Sequence, residues 1–212
     1  MLFRSMSDDY AELMALRRER QQAGLPLSFE YEWQEQKRTL DLSILNARDC
    51  TKFECMKLMQ QYREEIKPQQ LLVGTMSSVH ALQQRGASEE EIGSMVTTVV
   101  ESGLINEVRH RIIAAERAIR DSKLSSVQKN VVRVHLRNEV QQAIGAYADL
   151  LVSDPNAALV SYKDQLQTLG GILYTSRNAE ELVRKLPSNL SQDAEYAEVA
   201  LLALLPHNVD EE

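Results

Sequence analysis

The residues able to do chemistry are His80, His110, His135, His207, Cys50, Cys55 and an abundance of carboxylates. A zinc centre requires Cys or His in close, fixed pairs, and none of the histidines falls into such a pair. Cys50 and Cys55, five positions apart on a helix, would stand about 140° apart and bridge poorly. Two small buried thiols in a reducing compartment are the expectation. His110 and His135 lie at similar distances from an expected helix–helix turn, but a metal there would lack further ligands. The chain has no P-loop, no Gly-x-Gly-x-x-Gly, no Gly-x-Ser-x-Gly and no His-Glu-x-x-His. Helical surfaces always offer carboxylate pairs, so these select no acid–base site. The sequence therefore yields no catalytic, cofactor or metal residue, and the expectation is a protein that is not an enzyme.

Charge is the sharper signal. Between Arg109 and Arg137 stand Arg109, Arg111, Arg117, Arg120, Lys123, Lys129, Arg133 and Arg137 against only Glu116 and Asp121, inside a chain of net charge −7. Lys129, Arg133 and Arg137 recur every four residues and so share one helical stripe. Such a stripe suits an acidic partner, an anionic ligand or RNA, or it is a solvated face paired with acids elsewhere. The candidate docking residues are Arg109, Arg117, Arg120, Lys129, Arg133 and Arg137. The C-terminal stretch from residue 178 onward is acidic in turn, carrying Glu180, Glu181, Asp193, Glu195, Glu198, Asp210, Glu211 and Glu212 against Arg184 and Lys185. Its expected last helix, Ser191 to Leu205, is apolar on most sides, with Leu201, Leu204 and Leu205 as further candidates. A helix apolar all round must be buried, in its own fold or against a partner.

One helix-turn-helix candidate spans Ser78 to Val100 across Gly86-Ala87-Ser88. Its second helix opens on Glu89-Glu90-Glu91, where phosphates would have to approach, and Leu82 sits where that motif takes a small residue. An ordinary capped helical pair explains the same residues.

The elements that must hold these side chains are helices. Gly (8) and Pro (5) are scarce, which favours long elements over many strands. A first helix is capped at Ser7 and stops at Gly24. A second runs from Asp49 or Thr51 to Ile66 and stops before Pro68, and a third covers Gln69 to Gln84. Ser88 and Glu91 form a capping box that opens a helix ending at Gly103. Leu104–Asp121 and Ser126–Val152 then carry matching apolar stripes, including Ile105, Val108, Ile112 and Ile119 against Val127, Val131, Val134, Leu136, Val140, Ile144, Tyr147 and Leu151. The short link Ser122-Lys123-Leu124-Ser125 forces an antiparallel hairpin. Asp154-Pro155 opens a helix that ends at Gly170-Gly171. Asn178 with Glu181 caps another, which ends before Pro187.

Residues 29–45 fit two patterns. Phe29, Tyr31 and Trp33 alternate with polar residues as in a strand. The absence of Asn-Gly or a similar turn pair, and the marginal stability of a lone two-stranded hairpin, favour helix, with a small β-hairpin as the alternative.

Apolar residues make up 43% and charged residues 26% of the 212 positions, an ordinary globular balance. Nothing behind Met1-Leu2-Phe3-Arg4 resembles a signal peptide, and Ala197–Leu205 is too short to span a bilayer. The expectation is an all-α multi-helix bundle organised around the antiparallel hairpin, with an N-terminal helical arm over 1–48 and the bundle over 49–212. Its expected role is a cytoplasmic adaptor, assembly or regulatory protein that binds another protein, a second copy of itself included. A nucleic-acid-associated protein using Arg109–Arg137 is the alternative. No membrane, cofactor or small-molecule substrate is inferred.

Overall fold

The computed structural model describes residues 2–45, 52–187 and 200–205. It is an all-α multi-helix fold with one small β-hairpin, and it divides into two compact units, Met1–Gln70 and Leu71–Glu212. The expected arm and bundle met at 48/49, a point outside the described residues. The helix that follows residue 51 therefore belongs with the first unit as far as Gln70.

In the first unit α1 (Leu2–Gln22) is followed by β1 (Ser28–Trp33) and β2 (Gln36–Asp41). Helix α1 already runs at Leu2, so Ser7 is an interior position and not its cap. It ends just ahead of Gly24, whose φ of +66° is the left-handed conformation expected after a helix. Residues 29–45 do not form the favoured helix but the two strands and, at Leu42–Ile44, a 3₁₀ turn. β1 pairs antiparallel with β2, Phe29 opposite Leu40 and Trp33 opposite Gln36. The turn is Gln34-Glu35, both at positive φ (51° and 61°), a mirror-image turn made without glycine or asparagine. That conformation costs a side-chain-bearing residue about 1–2 kcal/mol.

The hairpin survives because it is not alone. Leu40 and Leu42 are fully buried with Leu13, Leu45, Leu58, Met59, Tyr62 and Ile66, and Phe29 and Tyr31 pack against them. Arg20 of α1 also lies 4.0 Å over the Phe29 ring.

The helix after residue 51 is α2 (Lys52–Gln61), and it runs through a π turn, Tyr62–Ile66, directly into α3 (Lys67–Gln84). Pro68 therefore does not stop it. In a regular α-helix the proline ring would strike the carbonyl of Glu64, and the wider π turn just ahead makes room. Glu65 of this turn accepts a 2.6 Å hydrogen bond from the Tyr31 hydroxyl, which in turn accepts one from Gln61. Burial and the adjoining Glu65 carboxylate push the Tyr31 hydroxyl up to about 12. Buried Asp9 of α1 is met by Arg63 and, at 3.3 Å, by the Lys67 ammonium, which also reaches Glu12 at 2.9 Å.

The second unit is built on α4 (Glu89–Asp121) and α5 (Ser126–Ser153), the expected hairpin joined by residues 122–125. Capping boxes open both helices, Ser88 with Glu91 and Ser125 with Gln128. Leu104, Ile105, Val108, Ile112, Ala115 and Ile119 are buried against Val132, Leu136, Val140, Ile144, Tyr147 and Leu151. Each Val, Leu and Ile among them contributes about 1.5–3 kcal/mol when fully buried. Val127, expected in the stripe, is instead exposed.

Gly103 does not break α4. A Cβ there would stand 2.9 Å from Leu71 Cδ1, so the glycine is the place where Leu71 of α3 lies against α4. α6 (Pro155–Tyr174) is opened by Asp154 with Pro155 in its first turn. It also passes through its expected stop, because buried Gly170 is where the Arg111 guanidinium lies against it. Tyr147 donates to the Ala158 carbonyl at 2.9 Å and Gln165 to the Ala143 carbonyl at 2.7 Å, fixing α6 on α5. A 3₁₀ turn (Thr175–Asn178) leads into α7 (Ala179–Lys185), and Asn178 makes no side-chain cap.

Candidate functional site

The hairpin positions the basic residues, and its register decides what each one does. Arg133 faces Glu116 across the α4–α5 interface. Its Nε and Nη2 both donate to Glu116 Oε1, at 2.8 and 2.6 Å, and its Nη1 donates to Asn130 Oδ1 at 3.0 Å. The two side chains are only 18% and 13% exposed. Lys129 Nζ donates to the Arg120 carbonyl at 2.7 Å, satisfying one of the orphan acceptors at the end of α4. Of the expected stripe, Lys129 and Arg133 are thus occupied inside the hairpin, and Arg137 remains half-buried without an ion-pair partner among the described residues.

The bases on α4 are freer. Arg109, half-buried, and Arg117, exposed, meet no acid among the described residues. Arg120 lies 3.2 Å from Asp121, but both side chains are well exposed, and such pairs contribute little. Arg111 is turned toward α6, 3.5 Å from the Leu166 carbonyl.

An acid of the C-terminal stretch reaches the basic hairpin at its link. Glu180 of α7 accepts the Lys123 backbone N–H at 3.0 Å. That bond, with the nearby cations of Lys123 and Arg184, holds its carboxyl below the usual range. Glu181 pairs locally with Lys185.

Residues 188–199, which include Ser191, Glu195 and Glu198 of the expected last helix, lie outside the described residues. The described part corrects that helix at its end. Ala200 is extended (φ −106°, ψ 144°) and Leu201–Leu204 is a separate 3₁₀ turn. Leu201 is fully buried and Leu205 nearly so in the core of the second unit, with Leu202 and Leu204 packed against them. These leucines dock on their own fold.

The helix-turn-helix candidate is α3 and α4 joined at Gly86 (φ +73°), with Glu89, Glu90 and Glu91 exposed on the first turn of α4. Among the described residues no three His, Cys, Asp or Glu side chains come together as metal ligands, His110 and His135 included. Cys55 is disulfide-bonded and not a free thiol. Cys50 lies outside the described residues. The disulfide bond overturns the expectation of a reduced thiol at Cys55.

Compared with family models, curated proteins and solved structures, the chain matches none. The site therefore rests on its own geometry.

That geometry contains a feature the sequence reading passed over. Glu91, Met95, Thr98, Ser102, Asn106, Arg109, Ile113, Arg117 and Arg120 recur every three or four residues, which aligns them along one side of α4. All are exposed or half-exposed. At the amino end an open groove lies along this side, lined by Glu90, Glu91, Ser94, Met95, Thr98 and Val99. The signal was present in the sequence: from Gly86 to Val108 there is no base, and from Arg109 the bases dominate.

Proposed function

We propose that this chain is a non-catalytic helical adaptor, assembly or regulatory protein that works by binding another protein. The observation that supports this is the outward side of α4: a rigid helix of 33 residues carrying half-buried Met95, Val99 and Ile113 between an acidic end and an arginine-bearing end. Apolar side chains framed by charge are the composition of a protein interface, with an apolar centre for affinity and a charged rim for orientation. The nucleic-acid reading loses support, because Lys129 and Arg133 are engaged within the hairpin and Glu89–Glu91 face outward.

No helix among the described residues is long and apolar enough to cross a membrane. The proposed place of action is the cytoplasm. Disulfide-bonded Cys55 opposes it, since disulfides persist mainly in oxidising compartments. Alkylation of the protein in intact cells decides: a modified Cys55 supports the cytoplasm, a protected one overturns it.

The binding reading is tested by placing a photo-cross-linking amino acid at Thr98 and irradiating intact cells. The expected result is a discrete adduct that survives nuclease and is lost on proteolysis. An adduct abolished by nuclease would transfer the reading to nucleic acid, and no adduct at all would overturn it.

A further inference from the structure

Helix α4 is polarised in charge along its length. Up to Asn106 it carries Glu89, Glu90, Glu91 and Glu101 and no base, whereas beyond it Arg109, Arg111, Arg117 and Arg120 outnumber Glu107, Glu116 and Asp121. The apolar side chains of the outward strip lie on both sides of the middle, Met95 and Val99 before it and Ile113 after it. A pattern that is acidic at one end and basic at the other, with apolar side chains on either side of a polar middle, is complementary to itself when reversed.

We propose that α4 is a self-association surface, on which a second copy of the chain packs its own α4 antiparallel about a two-fold axis near Asn106. The proposal rests on the protein-binding reading above and names the partner. A two-fold contact uses the same patch on both copies, so each residue i meets a residue j of the other copy and the reverse. With the axis near Asn106, Glu91 of each copy stands at the level of Arg120 of the other. Met95, Thr98 and Val99 stand near the level of Ile113 and Arg117, and Ser102 near that of Arg109.

Three observations carry this choice of partner. The first is the charge complementarity itself. The second is that Arg109 and Arg117 meet no acid within the described chain. The third is the groove beside Glu90 and Glu91, which is open where Ile113 and Arg117 of the second copy would arrive. An unrelated partner would need the same alternation of acid, apolar and base that a second α4 already supplies.

Charge swapping on the full chain tests it, read by sedimentation and light scattering at micromolar to 100 μM protein. The wild type should be a dimer that weakens with salt. Arg117→Glu/Arg120→Glu and Glu90→Lys/Glu91→Lys should each associate at least tenfold more weakly. A one-to-one mixture of the two should recover dimer, because each reversed end then faces its complement. Glu91→Lys also removes the capping carboxylate, so Ser102→Arg, an exposed change that sets like charge opposite Arg109, gives an independent arm and should likewise weaken association tenfold. A wild type monomeric at 100 μM overturns the proposal. So does a dimer indifferent to Ser102→Arg, or folded reversal variants that fail to re-associate when mixed. A photo-adduct at Thr98 to a different protein, with the purified chain monomeric, would leave the binding reading standing and remove only the self-association. Neither adduct nor dimer would remove both.

Discussion

Arg133→Met separates a structural arginine from a docking one. In the wild type Arg133 places two N–H groups on Glu116 Oε1, while Glu116 Oε2, buried, has no hydrogen-bond partner. Glu116 therefore already carries an unsatisfied oxygen, and Arg133 is its compensating charge. Removing one member of such a pair typically costs 3–5 kcal/mol. At 13–18% side-chain exposure some water can reach the site, so about 3 kcal/mol is expected here. For a chain of this length 1 kcal/mol corresponds to roughly 2–4 °C in melting temperature, giving a fall of about 6–12 °C. Replacing both partners, Glu116→Leu with Arg133→Met, should restore stability to within about 1 kcal/mol of wild type, since a well-packed apolar pair removes two desolvation costs at once. Thermal melting followed by far-ultraviolet circular dichroism on the two singles and the double measures the coupling. If Arg133→Met melts within about 2 °C of wild type, the pair is not holding the hairpin and Arg133 returns to the set of docking residues.

Two further outcomes follow from the geometry. The Tyr31 hydroxyl, raised to about 12 by burial and by Glu65, favours the folded state while protonated; this contribution is whole below about pH 10, the ordinary tyrosine value, and is lost as pH rises through the folded value. Spectrophotometric titration should show a tyrosine ionising near 12 that Tyr31→Phe removes, and seven tyrosines all ionising near 10 in the folded protein would refute it. Leu201→Ala empties a fully buried site and should cost about 2–5 kcal/mol with no change in particle mass, whereas an unchanged melting temperature would show that the segment does not dock on its own core.

The hairpin was legible because its information is local. Ile105, Val108, Ile112 and Ile119 repeat at helical spacing, and Ser122–Ser125 is too short for anything but a reversal. The misread elements all turn on a partner distant in sequence. Phe29, Tyr31 and Trp33 alternate as a strand should, but Gln34-Glu35 is a poor turn pair, and only the packing of Leu40 and Leu42 on α1 and α2 overrides that. Gly103 and Gly170 look like helix stops in the sequence. In the fold they are close-approach positions under Leu71 and Arg111, and packing outweighs the roughly 1 kcal/mol a helical glycine costs. Pro68 looks like a stop until the π turn ahead of it is known. The same holds at the candidate site. Lys129, Arg133 and Arg137 are equivalent by spacing, yet one caps a helix, one neutralises Glu116 and one is left without an ion pair, as cross-helix register alone decides.

The helix dipole explains part of the charge pattern on α4. Acids in a first turn and bases in a last turn are each favoured by about 0.3–1 kcal/mol, an effect confined to those turns. Glu89, Glu90, Glu91 and Arg120 fall within its reach. Arg109 and Glu101 lie in the middle of the helix and gain nothing from it, and the dipole has no bearing on Met95, Val99 and Ile113. Met95 and Ile113 pack in part on the core of their own unit, and only their remaining exposed surface is turned outward. Arg109 and Arg117, which meet no acid among the described residues, and exposed Thr98, Ser102 and Asn106 beside them are left outside both accounts. That remainder is what a reversed copy of the same helix would complete.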